Sequence, residues 1–250
     1  MSTEICRSDR ASLFLVGDVH GHISEYLALL ASLPPSSCSI ALGDLYLGRP
    51  GVNLPVLPPE HKFLRGNHDS PSSAAANPSY IGNFGYVEEQ DTFFLSGART
   101  ASWRVLGNSK YCYPDEEVSE AELGEAVELY AKVTPRTLIA HEFPQEAIPE
   151  ILQGLIGNYF AAKADCIESR TCRALQKMVE AWRPERFYGG HYHISRIFDL
   201  NGTRYRCLRE LEICEVPRLS PIPVSLNPSR VSPIPRASLL CSYFLSTRRR

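Results

Sequence analysis

Short apolar segments that end in glycine-bearing or polar turns recur along the chain, and they constrain its fold more than any other feature. The segments SLFLV, SCSIAL, HKFL and TLIA are rich in residues that favour buried strands. Amphipathic stretches alternate with them. ISEYLALLASL stops at Pro34, and RTCRALQKMVEAW stops before Pro184. Strands that alternate with helices predict an α/β protein.

Two local signals refine this prediction. Ser119 and Glu122 have the spacing of a capping box, which predicts a helix running to about Lys132. The segments RIFDL and TRYRCL flank Asn201-Gly202, a pair that suits the type I′ turn of a β-hairpin. Because a hairpin pairs its strands antiparallel, the sheet is predicted to be mixed.

The composition changes near Pro217. The rest of the chain holds six of the nineteen prolines, repeats SPIP and ends in three arginines. Such a composition does not build a packed core. We therefore predict one folded domain over residues 1–216 and a disordered tail over residues 217–250.

Charge and cysteine content exclude several classes of protein. The net charge of -2 argues against a broadly electropositive nucleic-acid surface. No apolar run is long enough to span a membrane. The eight cysteines are scattered without a CxxC pair, which favours reduced thiols. These features predict a cytoplasmic protein with no membrane partner.

Residues of the kind that bind metal ions follow several of the predicted strands. The carboxyl ends of strands in an α/β sheet form the crevice where ligands bind, so these side chains are expected to converge. Five of the seven histidines belong to this set. The set comprises Asp18, His20, Asp44, Asn67, His68, His141, His191 and His193.

The chemistry of this set favours divalent metal ions over other ligands. Carboxylates, imidazoles and an amide without thiolates suit Mn, Fe, Zn or Ni. The set is too large for one ion, and a shared carboxylate can bridge two metals about 3.5–4 Å apart. A purely structural role for so many buried histidines would require unrelated polar partners at one sheet edge, which is costly.

The ordered motifs GDVHG, GD, RGNHD, a lone histidine and GHYH resemble the calcineurin-like metallophosphoesterases. SGARTASWRV, YPDEEVSEAEL, IAHEFP and SRTCRAL resemble a bacterial and phage branch of that superfamily. The resemblance covers roughly residues 11 to 212. It implies a four-layer α/β/β/α sandwich with mixed sheets and a binuclear centre at one end.

The resemblance also implies a role for each matching residue. Two divalent ions are expected, with Mn the metal expected to support activity in vitro. The implied ligands are Asp18, His20 and His193 for the first metal, Asn67, His141 and His191 for the second, and Asp44 as the bridge.

The implied reaction is hydrolysis of a phosphate ester, either a monoester or a diester, by a hydroxide that bridges the metals. His68 is implied to be catalytic, donating a proton to the leaving oxygen or otherwise stabilising it. Arg65 and Arg104 are candidates for contact with the phosphate. The expected substrate is a small phosphate ester or a nucleotide.

One departure from the superfamily separates this chain from its protein phosphatases. They carry GDxxDRG, whereas this chain has GDLYLGRP, with Leu47 and Gly48 at the Asp and Arg positions. His68 therefore lacks its usual carboxylate partner, and Asp69 is a candidate replacement. Two alternatives remain open: a nuclease, and a catalytically silent protein-interaction scaffold of the same fold.

Overall fold

The predicted strands form two mixed sheets in a computed structural model that describes residues 12–100, 113–154 and 169–218. In the first sheet the strand order is β10-β1-β2-β3, with β1, β2 and β3 parallel and β10 antiparallel to β1. Its strands are β1 (Leu13–Val16), β2 (Cys38–Ala41), β3 (His61–Phe63) and β10 (Ile213–Val216).

The second sheet has the order β4-β5-β6-β7-β9-β8. Its central strands from β5 to β9 are parallel, and both edge strands pair antiparallel. Its strands are β4 (Phe84–Val87), β5 (Thr92–Leu95), β6 (Thr137–Ala140), β7 (Arg186–Gly189), β8 (Arg196–Leu200) and β9 (Thr203–Cys207).

Helices cover the outer faces of the sheets. Within the described ranges they are α1 (Ile23–Ala31), α2 (Pro71–Ala75), α3 (Glu120–Val133), α4 (Ile148–Leu152) and α5 (Arg170–Ala181). Short 3-10 turns cover Glu88–Gln90 and Gln145–Ala147. The predicted helices α1, α3 and α5 are confirmed.

Both local signals in the sequence produce the expected structure. At the start of α3, the Ser119 side chain accepts from the Glu122 backbone, and the Glu122 side chain accepts from the Ser119 backbone. The β8–β9 hairpin pairs Leu200 with Thr203 across a two-residue turn. Asn201 and Gly202 both have positive φ, 50° and 85°, as a type I′ turn requires.

Three apolar clusters define the layers. One lies between the sheets and joins residues such as Leu15 and Ile40 of the first sheet to Phe94 and Ile139 of the second. A second packs α3 and α5 on the outer face of the second sheet. A third packs α1 on the outer face of the first sheet. The predicted four-layer α/β/β/α architecture with mixed sheets is confirmed.

One further prediction is met only in part, and another falls outside the described residues. Cys172, Cys207 and Cys214 are buried free thiols, as expected, but Cys38 is disulfide-bonded, against the expectation of reduced thiols throughout. The predicted tail lies outside the described residues beyond Arg218, so its disorder stays a prediction. No helix within the described ranges has the length and apolarity needed to cross a membrane.

Candidate metal centre

The predicted metal ligands come together at the carboxyl ends of parallel strands from both sheets. Asp18 and His20 follow β1, Asp44 follows β2, and Asn67 follows β3. His141 follows β6, and His191 and His193 follow β7. Because the two sheets face each other, their strand ends deliver these side chains to one place from both sides.

The first part of the centre is a cluster of two buried carboxylates, the partly buried imidazole of His20 and the exposed imidazole of His193. Asp18, His20, Asp44 and His193 each offer a ligand atom, and these four atoms lie within 4.8 Å of one another. His193 Nε2 is 3.2 Å from Asp18 Oδ2, and His20 Nε2 is 3.6 Å from one carboxylate oxygen of each aspartate. This Asp/His cluster could bind a divalent metal ion.

The second part lies on the other side of Asp44. His141 Nε2 is 3.5 Å from Asp44 Oδ1 and 3.1 Å from Asn67 Oδ1. The ring of His191 is 5.1 Å from that of His141, centroid to centroid. Asp44 therefore has imidazoles on both sides, His20 at one oxygen and His141 at the other.

Hydrogen bonds outside the cluster set which atoms face it. His141 Nδ1 lies 2.8 Å from the Leu42 carbonyl, which can only accept, so in the neutral imidazole His141 Nε2 carries the lone pair. The Asn67 amide nitrogen donates to Thr100 Oγ1, so its oxygen faces the centre. Both arrangements present an acceptor lone pair, which is what a metal ligand needs.

The charge balance of the cluster calls for added cations. Burial by itself raises the pKa of Asp18, but His141, His193 and His20 outweigh it and lower that pKa below its usual range. Burial by itself lowers the pKa of His141, but Asp44 and Asp18 outweigh it and raise that pKa to about 10. Without a metal ion, an imidazole must therefore supply the positive charge that the two buried aspartates require.

An orphan atom supports the same conclusion. His20 Nε2 is buried and has no hydrogen-bond partner in the part of the chain that the structure describes. Its distance of 3.6 Å to a carboxylate oxygen of both Asp18 and Asp44 is too long for a hydrogen bond. A cation shared by these three groups satisfies all of them, so the donor set fits divalent metal ions.

The backbone at the centre is unusually tight. A Cβ on Gly66 would lie 2.1 Å from Asp44 Oδ1, and a Cβ on Gly190 would lie 2.1 Å from Asp18 Oδ1. Several of the predicted ligands themselves have left-handed backbone conformations, which cost about 1–2 kcal/mol for each non-glycine residue. Their φ values are 48° at His20, 54° at Asp44, 68° at His191 and 55° at His193.

His68 lies at the edge of the cluster. Its backbone N–H donates to Asp44 Oδ1, and its ring is 6.1 Å from that of His20. Within the described residues, its buried Nδ1 has no hydrogen-bond partner. Asp69 does not replace the missing carboxylate partner, because its two oxygens accept from the backbone N–H groups of Leu47 and Gly66. Asp69 instead ties the turn after β2 to the turn after β3.

Sequence reasoning missed a tyrosine that lies between the histidines. The Tyr46 hydroxyl is 2.7 Å from His20 Nδ1, and its ring is 5.7 Å from that of His68. The Arg49 guanidinium stacks 3.4 Å above the Tyr46 ring, which brings a cation to the same edge of the centre. A tyrosine within GDLYLGRP carries no signal of this role in the sequence alone.

The two arginines that the sequence suggested for phosphate contact have different positions. Arg65 is buried, with its guanidinium donating to the Glu116 carbonyl and to the Asn83 side chain. Arg104 lies outside the described residues. Phosphate contact by either of them stays a prediction.

Comparison with known proteins gives only distant likenesses. No protein-family model matches the chain, and no curated protein matches it. The phosphopantetheinyl hydrolase of Mycobacterium tuberculosis is similar in structure, with 14% identity, coverage of 89% of this chain and 98% of that chain, and a TM-score of 0.49. GAP50, the anchor in the inner membrane complex of Plasmodium, is also similar in structure, with a TM-score of 0.40 and 10% identity. The match covers 80% of this chain and 71% of GAP50.

Proposed function

We propose that this chain is a metal-dependent hydrolase of phosphate esters. The observation that carries the proposal is the arrangement of Asp44 between two groups of imidazoles, next to a second buried aspartate, Asp18. Two ions that share a carboxylate are suited to clamp both oxygens of a displacement at phosphorus. The tight turns and strained ligand conformations have no evident use in a merely structural site.

The ligand groups divide naturally around Asp44. Asp18, His20 and His193 would hold the first ion, and Asn67, His141 and His191 would hold the second. Divalent ions at such a centre polarise phosphoryl oxygens and make a water-derived nucleophile available near neutral pH. Manganese is the proposed metal for measurements in vitro.

His68 is the proposed group that serves the leaving oxygen. Its backbone bond to Asp44 fixes it beside the centre without using its ring. Burial lowers the pKa of His68, and the Arg49 charge acts in the same direction, although Asp44 opposes them. A largely neutral imidazole can still stabilise the leaving oxygen through its N–H group.

Arg49 is the best-positioned described cation for a phosphoryl oxygen. Its guanidinium rests on the Tyr46 ring, and that tyrosine is bonded to the predicted ligand His20. The stack holds the guanidinium in place beside the centre, and a guanidinium matches the geometry of phosphoryl oxygens. The Arg65 guanidinium donates to the Glu116 carbonyl and to the Asn83 side chain.

The proposed substrate is a small phosphate ester or a nucleotide, handled in the cytoplasm. The balanced net charge of -2 counts against a nuclease, which relies on a basic surface to hold a polyanion. Monoesters and diesters are both compatible with the donor set.

The test is manganese-stimulated hydrolysis of a matched pair of chromogenic substrates, one monoester and one diester. We expect turnover of at least one of them, with loss of at least 100-fold in Asp44→Asn and in His68→Asn. His22→Asn is the matched control, because His22 is an exposed histidine two residues from His20 whose ring contacts Glu210 and Glu25 instead of the cluster. It should retain full activity.

Two other outcomes would redirect the proposal. Protein that binds manganese but turns over neither substrate, with Zn, Fe and Ni also inactive, would favour the silent interaction scaffold. Equal activity in all three variants would show that the hydrolysis does not occur at this centre.

A further inference from the structure

A buried carboxylate that the proposed reaction does not use lies against one of the predicted ligands. Glu142 directly follows His141 at the end of β6 and is 1% exposed. Its Oε2 lies 3.6 Å from His191 Nε2. The two ring nitrogens of an imidazole point in different directions, so Glu142 lies beside Nε2 and not beside Nδ1.

The other oxygen of Glu142 is held firmly. Glu142 Oε1 accepts from the Phe143 backbone N–H at 2.8 Å and from the Tyr192 hydroxyl at 2.9 Å. Both named hydrogen bonds go to the same oxygen. They orient the carboxylate so that Oε2 is directed at His191.

Tyr192 explains why the GHYH motif has an aromatic residue between its two histidines. It is 1% exposed, and its ring packs 5.0 Å from the ring of His191 and 5.9 Å from that of Phe143. The GHYH motif therefore contains both His191 and Tyr192. The Tyr192 ring packs beside His191, and its hydroxyl donates to the Glu142 carboxylate.

We propose that Glu142 is a positioning residue for His191: its carboxylate lies 3.6 Å from Nε2 and favours the proton on that nitrogen, which leaves the lone pair on Nδ1 for the metal. A neutral imidazole has one donor and one acceptor nitrogen, so a carboxylate at Nε2 determines which nitrogen can bind a cation. Carboxylates behind metal-binding histidines commonly set ring orientation and affinity in this way. The inference rests on the proposed metal site but not on its reaction.

Glu142→Gln reverses the preference of His191 with almost no change in shape. The amide oxygen must face the Phe143 N–H and the Tyr192 O–H, because both of these are donors. The amide NH₂ then faces His191 Nε2 and disfavours a proton on that nitrogen. Nδ1 would carry the proton and could no longer bind a metal.

The experiment measures imidazole ¹⁵N shifts and Mn²⁺ titration on the full chain. In metal-free wild type we expect His191 as the Nε2–H tautomer, and in Glu142→Gln we expect a shift to Nδ1–H. Manganese affinity at one of two sites should fall about 10- to 100-fold, with the other site nearly unchanged. Tyr192→Phe should show the same change to a smaller degree.

Glu146→Gln is the matched control. Glu146 also accepts from a tyrosine hydroxyl, that of Tyr205, but pairs with Arg183 instead of a predicted ligand. It should change neither the tautomer nor the manganese affinity. A variant that merely loosened the fold would lower the melting temperature without reversing the tautomer of His191.

Two results would overturn the inference: an Nδ1–H tautomer in the wild type, or an unchanged tautomer and unchanged manganese affinity in Glu142→Gln. Failure of the proposed function is a separate result. A protein with no phosphoesterase activity that still shows the tautomer reversal would keep the role of Glu142 and lose only the reaction.

Discussion

At Gly190 the centre has no space for a side chain. Its missing side chain leaves space for the Asp18 carboxylate, which accepts the next backbone N–H, that of His191, at both oxygens. A methyl group would lie 2.1 Å from Asp18 Oδ1, far inside contact distance. Either the carboxylate or the His191 turn would have to move.

We therefore predict that Gly190→Ala weakens manganese binding by at least tenfold, since it displaces a carboxylate from the first ligand group. Isothermal titration with Mn²⁺ checks this prediction. Gly124→Ala is the control, because a Cβ at Gly124 meets nothing within 4 Å and lies in α3. That change should leave the metal affinity intact and stabilise the helix by about 0.5–1 kcal/mol. Equal affinity in Gly190→Ala and wild type would contradict the prediction.

Glu116 connects the centre to the segment that precedes α3. Its carboxylate accepts from the backbone N–H and the hydroxyl of Thr100, at 2.6 and 2.7 Å, and Thr100 in turn accepts from the Asn67 amide. Burial raises the pKa of Glu116 to about 7 from an ordinary value of 4.5, although the two Thr100 bonds oppose it. The folded protein therefore holds this proton more tightly than the unfolded chain.

This difference predicts a pH dependence of stability with a definite sign. The contribution of Glu116 is fully present below about pH 4.5 and is lost as the pH rises through 7, a change of about 3 kcal/mol. Glu116→Gln removes the titration. Urea denaturation from pH 4.5 to 8 measures the free energy of unfolding of both proteins. As the pH rises, the wild type should therefore lose stability relative to Glu116→Gln. A constant difference across this range would show that Glu116 does not titrate as described.

Ligand positions are predictable from this sequence, whereas their supporting residues are not. Asp18, Asp44 and His141 each follow an apolar run within two residues, so their place at a sheet edge can be read locally. Tyr46 and Glu142 act through partners that are 26 and 49 residues away, His20 and His191. Their roles depend on how strands from different parts of the chain align, which no local pattern records.

At the scale of elements, the helices are set mainly by local signals. Ser119 caps α3 and is part of the reciprocal bond with Glu122, so the start of the helix is determined by four consecutive residues. The strands β4, β5 and β10 were not predicted. Their short sequences become strands through pairing with distant partners, as β10 does with β1 across about 200 residues.

Ser119→Ala should lower the free energy of unfolding by about 1 kcal/mol, because it removes the side-chain acceptor from the first turn of α3. Chemical denaturation at pH 7 measures the change. Metal affinity should not move, since Ser119 contacts Glu122 instead of the cluster. Ser119→Asp, which keeps an acceptor at the cap, should recover most of the loss. A loss that Ser119→Asp fails to recover would indicate a role other than capping.

At the scale of the whole molecule, β10 closes the fold. The chain leaves the second sheet after β9 and returns to pair with β1 in the first sheet, burying Cys214 between the layers. The last described residue, Arg218, follows this strand closely. Within the described ranges, every residue that supports the centre therefore precedes that point.

A chain that ends at Arg218 should retain the manganese affinity of the full chain and lie within about 0.5 kcal/mol of its free energy of unfolding. The reason is the tail composition, which predicts no core of its own. A chain that ends at Glu212 lacks β10 and should unfold at much lower urea concentration, because β1 loses its antiparallel partner. A large loss of stability in the Arg218 chain would show that the tail packs on the domain.

The left-handed conformations of His20, Asp44, His191 and His193 have an evolutionary consequence. Glycine would adopt these conformations without strain and asparagine with little strain, so the backbone itself favours replacement by these two residues. In a lineage released from selection on the centre, each such step would relieve backbone strain at that position. Silent descendants of this chain should be recognisable by glycine or asparagine at these positions.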